Sequence, residues 1–456
     1  MEKFDVLVLG GGLAGVSAAL RVAELGGKVC LIEKGNIGRV GFYRRNTLFM
    51  DSRVSILPSA SWDEYRSVLA SETEEYCRSI REKLDALGVS VVEGEGRLAN
   101  VAEISVQMKD GGNLLLQGKS VILAYGSNTR FPSTLPHEDG VVISIEEVSQ
   151  LSALPENVLI IGGGSFASET ALGLRKRGCK VFLCYEQKEL IPEMDEDFNV
   201  EIERQLKEKK IKILAGKKLV SFYKNGAELG ITLETGIKFS VHQIIIAGDR
   251  SGVEEIAEIE KLGIRLGEHQ KIFVDEGMMT SLPGVYAVGS IAGELTSDTL
   301  SQEEGRVAAE NALGKKRKVN REWVPQIARL SPEVAYVGCN MKTAGHQGFH
   351  PVEGLFERDS NVGGNSTFSQ TMEKYKIVAD KRSRLIVGAQ IISDQSSDWI
   401  SMLLLLIKKG VTVGNLANSI SPEGARIKGF CEAARNCLRV LKSRSEEHTS
   451  ELQSQA

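Results

Sequence analysis

The sequence predicts an α/β fold made from two copies of one unit and closed by an α+β segment. Three observations predict it. A strand, glycine-rich turn, helix and second strand open the chain and recur 152 residues later. The apolar runs between and after the copies are short and bounded by Gly, as buried parallel strands are. Beyond the charged stretch Lys315 to Arg321, the pattern changes to longer strands and helices. At 456 residues the chain also exceeds one hydrophobic core, so several domains are expected.

The elements follow in order. Lys3 to Leu9 reads as a strand, Gly10-Gly11-Gly12-Leu13-Ala14-Gly15 as a turn opening an Ala-rich helix, and Val29 to Ile32 as a strand ending at Glu33. In the second copy Val158 to Ile161 is the strand, Gly162-Gly163-Gly164-Ser165-Phe166-Ala167 the turn, and Glu169 to Arg177 the helix. Val181 to Cys184 follows, then Tyr185-Glu186. Three buried strands end in Ala124-Tyr125-Gly126-Ser127, Ala247-Gly248-Asp249 and Gly289-Ser290. Tyr375 to Ala379 and Leu385 to Ile392 read as strands, and Asp398 to Lys409 and Lys428 to Leu441 as helices.

The glycines carry a physical reason. The first permits a tight turn, and the second lets backbone N–H groups approach a pyrophosphate. The third lets helix and strand pack while the helix N-terminus faces the phosphates. Ala167 is small enough for the third place. An acid closing the second strand, as Glu33 does, accepts hydrogen bonds from ribose hydroxyls. Two such turns in full strand–helix context predict two dinucleotide-binding, Rossmann-like domains.

Composition excludes other classes. The chain has 42% apolar and 25% charged residues and a formal charge of −4, with no basic stripe, which argues against nucleic acid. Its longest aliphatic run, Met402 to Ile407, is too short for a membrane span, and the opening strand has no signal-peptide layout. Seven scattered cysteines form no framework of pairs, so a reducing cytoplasm is expected. Residues 444–454, RSEEHTSELQS, read as a translated sequencing-adapter oligonucleotide, so 443–456 is expected to be a non-native tail without structure.

On these motifs, with Val324-Pro325 and the run Ser331 to Gly338, the chain resembles the pyridine nucleotide–disulfide oxidoreductases, the family of dihydrolipoamide dehydrogenase and mercuric reductase. The resemblance implies an FAD-binding domain over 1–150 and 273–318. It implies an NAD(P)-binding domain over 151–272, a dimerisation domain over 319–442 and a homodimer. It places FAD at Gly10, Gly12, Leu13, Ala14, Gly15, Glu33, Lys34, Gly96, Ala124, Gly126, Ser127, Gly289 and Ser290. It places NAD(P)H at Gly162, Gly164, Ser165, Phe166, Ala167, Glu169, Tyr185, Glu186 and Gly248.

The departures carry as much information. Gly41 and Asn46 stand where the family has its redox CxxxxC pair, and Met50 where a Lys follows it. Ser421 and Arg426 replace the family's C-terminal His–Glu dyad. Thiol chemistry needs a sulfur and a base, and both are missing here. Ser290 replaces an Asp that bonds the flavin's ribitol, which predicts weaker FAD binding. Tyr185 and Glu186, with no Arg in their loop, lean toward NADH over NADPH.

Cys179 and Cys184 show CxxxxC spacing, but the ends of an extended strand lie too far apart for a disulfide. Glu169 is a catalytic candidate near the nicotinamide or a carboxylate at a helix start. Arg39, Arg44 and Arg45, with Phe42 or Tyr43, read as a solvated loop before an anion site. His346 and His350 read as surface residues, and no metal site is expected. The expected activity is transfer from NAD(P)H through FAD directly to a quinone, a nicotinamide or a protein. The alternatives are a non-catalytic, regulatory subunit of the same fold and, third, a true dihydrolipoyl dehydrogenase.

Overall fold

The computed structural model describes residues 3–38, 61–253, 256–293, 297–359, 372–420 and 427–454. Arg39, Gly41, Phe42, Tyr43, Arg44, Arg45, Asn46, Met50, Ser421 and Arg426 lie outside the described residues.

In chain order, β1 (Lys3–Leu9), α1 (Leu13–Glu24) and β2 (Val29–Glu33) come first, then α2 (Trp62–Ala86). β3 (Ser90–Asn100), β4 (Glu103–Met108), β5 (Asn113–Leu123), β6 (Asn128–Thr129), β7 (Val142–Ser144) and β8 (Asn157–Ile161) follow. Next are α3 (Gly164–Lys176), β9 (Lys180–Tyr185), α4 (Glu196–Glu208) and β10 (Lys212–Ala215). A meander of β11 (Leu219–Asn225), β12 (Glu228–Leu233) and β13 (Lys238–Val241) leads to β14 (Gln243–Ile246), β15 (Arg250–Ser251), α5 (Ile256–Lys261), β16 (Val285–Ala287) and α6 (Asp298–Ala312). The last part holds β17 (Gln326–Ala328), β18 (Val334–Gly338), α7 (Met341–His346), β19 (Pro351–Asp359), β20 (Met372–Asp380) and β21 (Ile386–Ile392). It ends in α8 (Ser396–Lys408), α9 (Val413–Ala417) and α10 (Ile427–Ser454). The α/β class is as the sequence predicts.

Two compact units divide the chain. One holds Met1–Gly162, Lys176–Val181 and Leu219–Asn320; the other holds Gly163–Arg175, Phe182–Lys218 and Arg321–Ala456. In the first, β1 pairs in parallel with β2 and with β5, β2 with β3, and β5 with β16. β4 runs antiparallel between the far ends of β3 and β5. β14 lies between β8 and β7, all parallel.

Small residues let α1 press on this sheet and on α6. Its buried face is Ala14, Gly15, Val16, Ala18, Ala19 and Val22. A Cβ at Gly305 of α6 would stand 2.3 Å from the Ala14 carbonyl oxygen, so that crossing requires glycine. α2 begins with a capping box: Ser61 Oγ accepts the Glu64 N–H at 3.3 Å, and Glu64 accepts the Ser61 N–H at 2.7 Å. Its buried stripe, Tyr65, Leu69, Thr73, Ile80 and Leu84, keeps a helical period.

In the second unit β9 pairs with β10 in parallel. An antiparallel sheet runs in the order β17-β18-β21-β20-β19. Its apolar face forms one core with Ile400, Leu403 and Ile407 of α8, and with Phe430, Cys431, Ala434, Cys437 and Leu441 of α10.

Two expectations need correction. α3 starts at Gly164, five residues before the expected helix: Gly164 itself has a left-handed φ of +89°, and Ser165, Phe166 and Ala167 already belong to the helix. The segment 444–454 was expected to lack structure, yet α10 continues through Ser454. Its Glu, Leu and Gln residues have high helix propensity and extend the turn that precedes them.

Candidate functional site

Strand registers bring the first glycine turn to one edge. Leu9 is level with Ile32 and Leu123, and Leu123 with Ala287. The carboxyl ends of four parallel strands therefore lie in a row, carrying Gly10, Glu33, Ala124 and Val288–Gly289. Ligands of open α/β sheets bind outside such ends. Backbone bonds fix the row: Gly10 N–H donates to the Ile32 carbonyl at 2.9 Å, and Ala124 N–H to that of Leu9 at 2.8 Å.

Gly10 has a φ of +112°, and a Cβ there would stand 2.3 Å from the Ala124 carbonyl oxygen, so no other residue fits. A Cβ on Gly15 would lie 1.9 Å from the Gly10 oxygen, which explains the last glycine of the turn. Gly12 instead faces open space, with nothing within 4 Å of a built Cβ. This is the cradle a pyrophosphate requires ahead of α1. Leu13 and Ala14 form the first turn of α1, Lys34 is exposed just past β2, and Gly126 takes a left-handed φ of +79°. The absent side chain at Gly96 has a packing reason, since a Cβ would press on Leu9 and Ile32.

Two acids organise this edge. Glu33 Oε2 accepts the Gly11 N–H, and its Oε1 accepts the Gly35 N–H at 2.6 Å. Each oxygen keeps a second lone pair, which leaves Glu33 competent to accept ribose hydroxyls. Glu304, 2% exposed on α6, accepts the Gly289 N–H at 2.8 Å. Sequence reasoning missed Glu304, which lies fifteen residues from its partner and carries no motif signal of its own. Ser290 is 8% exposed, and among the described residues its hydroxyl makes no hydrogen bond. A hydroxyl that bonds no other group of the chain can donate to or accept from a ligand. The cradle at Gly12, Glu33 and Ser290 together fit the FAD that the resemblance implies.

The second turn is built alike. Ile161 is level with Ile246, so Gly162 and Ala247–Gly248 sit side by side in the first unit. Gly162 has a φ of +126°, and a Cβ there would meet the Ala247 backbone at 2.6 Å. In the second unit Gly164 N–H donates to the Leu190 carbonyl at 2.7 Å, and Ser165, Phe166 and Ala167 form the first turn of α3. Tyr185 ends β9 but turns inward. It is 1% exposed and its hydroxyl donates to Glu203 at 2.7 Å, and burial pushes its pKa well up. Glu186, the next residue, is exposed, with the Lys218 ammonium 3.7 Å away. Glu169 is buried and accepts the Arg329 N–H at 2.8 Å.

None of the seven cysteines is joined in a disulfide. Cys179 and Cys184 are both buried, Cys184 within β9 and Cys179 just before it. His346 and His350 are exposed. Among the described residues one metal-like group arises elsewhere: His137, Asp139 and Glu147 bring ligand atoms within 4.8 Å of one another. His137 is 2.8 Å from Glu147, whose bond raises the histidine's pKa against a smaller effect of burial, as in an ordinary surface ion pair. Among the described residues no helix is long and apolar enough to cross a membrane.

The sequence matches the pyridine nucleotide-disulphide oxidoreductases over residues 4–312, and that family's dimerisation domain over residues 324–424. Mercuric reductase of Staphylococcus aureus is 24% identical, the match covering 94% of this chain and 82% of that protein. Dihydrolipoyl dehydrogenase of Thermus scotoductus is 27% identical over 95% of this chain and 97% of its own. A Cu(II) complex of the HOCl-induced flavoprotein disulfide reductase RclA from Escherichia coli shares the fold. Its TM-score is 0.83 at 20% identity, over 95% of this chain and 99% of that one. The matched spans take in both glycine turns and the C-terminal sheet, and the chain belongs to the pyridine nucleotide-disulphide oxidoreductase family.

Proposed function

We propose that this chain is an FAD-dependent NAD(P)H oxidoreductase, favouring NADH, that hands electrons from flavin directly to an external acceptor. A quinone, a second nicotinamide or a partner protein would serve. The observation that carries this reading is the state of the thiols. Positions 41 and 46 hold Gly and Asn, and none of the seven cysteines is joined in a disulfide. A disulfide relay has no sulfur to use at that place.

FAD supplies, when bound, a carrier that accepts hydride from a nicotinamide and releases electrons onward. The chain's own groups hold and orient. N–H groups of the Gly10–Gly15 turn and the start of α1 would take the pyrophosphate. Glu33 would accept from the ribose, and the Ser290 hydroxyl would exchange one bond with the ribitol. The Gly162–Ala167 turn and Gly248 would cradle the nicotinamide dinucleotide, with Glu186 accepting from its adenosine ribose. The dimerisation domain supports a homodimer.

A second reading, a non-catalytic subunit of the same fold, is favoured by the substitutions at Gly41, Asn46, Ser290, Ser421 and Arg426 together. The visible spectrum of the purified protein separates the two. A flavin band that persists after gel filtration with FAD, and bleaches on anaerobic NADH addition, is the expected result. Protein that stays colourless after FAD incubation defeats the enzyme reading. Dihydrolipoamide turnover equal to that of a disulfide-bearing relative would defeat the absence of a relay.

A further inference from the structure

Two short strands leave the turns that lie beside Gly10 and Gly162 and pair with each other. β6 follows the Ala124–Ser127 turn, and β15 follows Ala247–Gly248–Asp249. Thr129 is level with Arg250 and Asn128 with Ser251, and Arg130 N–H donates to the Asp249 carbonyl at 2.9 Å. All of these residues lie in one compact unit.

One side chain grips this crossing. Arg250 Nε donates to Ser127 Oγ at 2.7 Å, and Nη2 donates to the Ser127 carbonyl oxygen. Nη1 donates to Glu146 Oε1, whose other oxygen accepts the Thr129 hydroxyl at 2.7 Å. Glu146 stands two residues past Ser144, which is level with Ile246 on β14. The guanidinium thus bonds the turn after β5 and the residue row after β7 while standing on the strand after β14. Its side chain is 14% exposed, so the charge is largely shielded from water. Charge-assisted bonds are about twice as strong as neutral ones, and a planar fork fixes direction as well as distance.

Resting on the dinucleotide sites of the proposed function, we propose that Arg250 is a positioning residue that links flavin occupancy to nicotinamide-nucleotide affinity. A ligand that moves Ser127 must move two of the three donor nitrogens. That displaces the Arg250 backbone, which lies two residues from Gly248. Either nucleotide therefore sets the turn that meets the other. Equilibrium linkage is reciprocal, so one measured direction suffices.

The test uses the full chain and NAD+, which does not reduce the flavin. Its dissociation constant is measured by titration calorimetry on apoprotein and on FAD-loaded protein. Wild type is expected to show a ratio of about fivefold or more, the lower end of ordinary site-to-site linkage. Arg250→Ala should bring the ratio to within about twofold of one, with Arg250→Lys between, because an ammonium keeps the charge without the fork. Circular dichroism and melting of the apo forms establish folding. If Arg250→Ala does not fold, Arg250→Lys and Glu146→Gln carry the test through the same ratio. A ratio near one in flavin-loaded wild type overturns the proposal, as does an unchanged ratio in folded variants. Wild type that takes up no FAD instead overturns the reading beneath it, and the linkage with it.

Discussion

The carboxylate of Glu169 accepts the backbone N–H of Arg329 at 2.8 Å, which ties the helix of the second glycine turn to the end of β17. Because α3 begins at Gly164, Glu169 lies in the second helical turn, past the reach of a helix-start charge effect. Glu169→Ala would strand a donor at a site where the acid is only 7% exposed. We expect a loss of about 1–3 kcal/mol in denaturant unfolding. Glu169→Gln, which keeps a carbonyl acceptor, should lose less than half of that. Equal losses in the two variants would show that charge, and not the acceptor geometry, matters at this position.

Thiol counting tests the missing relay without any substrate. Six of the seven cysteines are buried, and only Cys77 is partly exposed. Burial pushes the Cys339 and Cys437 thiols up to about 11 each and raises Cys431, so little thiolate is present at neutral pH. In native protein a disulfide-exchange reagent should titrate at most one thiol quickly. The count should be the same after anaerobic NADH reduction. Two further thiols after reduction would reveal a redox disulfide and refute direct transfer.

The sequence makes the two nucleotide turns legible because their physics is local. Glycine at 10 and 162 answers a backbone clash with the next strand over, and that demand leaves a mark in the chain. The partners of those turns are not local. Glu304, Arg250 and Arg329 reach the sites from residues far along the chain, with no spacing rule to announce them. The meander of β3, β4 and β5 was also silent, since Leu114, Leu115 and Val101 stay exposed there and break the alternation that marks a half-buried strand. The inward turn of Tyr185 depends on Glu203, on a helix the motif does not include.

That turn decides which residue reads the nucleotide. With its hydroxyl on Glu203, Tyr185 is a core residue, and Tyr185→Phe should leave the NADH-to-NADPH preference unchanged. Glu186 is exposed beside Lys218, and Glu186→Lys should shift the ratio of the two KM values toward NADPH. About fivefold is expected, as an exposed charge contact contributes roughly 1 kcal/mol at low salt. The shift should shrink as ionic strength rises. Steady-state or flavin-bleaching kinetics with both donors measure it, and a shift from Tyr185→Phe equal to that from Glu186→Lys would contradict this assignment.

Asp380 gives the second unit an acid-sensitive contact. Burial alone would raise its pKa, but the N–H groups of Ser383 at 2.8 Å and His350 at 2.9 Å, with the Ser383 hydroxyl at 2.8 Å, overcome that and hold it down at about 2. A carboxylate lowered in the folded state contributes stability above its unfolded pKa, near 3.9, and loses it as pH falls through the folded value. The contribution of this one group is roughly 2 kcal/mol, fully present at neutral pH and fading between about pH 4 and pH 2. Asp380→Asn should therefore be less stable than wild type by about that amount at pH 7. The gap should narrow steadily below pH 4, because wild type alone loses an ionised acceptor there. Urea unfolding of both proteins at a series of pH values reads the gap directly, and a difference constant from pH 7 to pH 2.5 would mean that the Asp380 contacts do not depend on its charge.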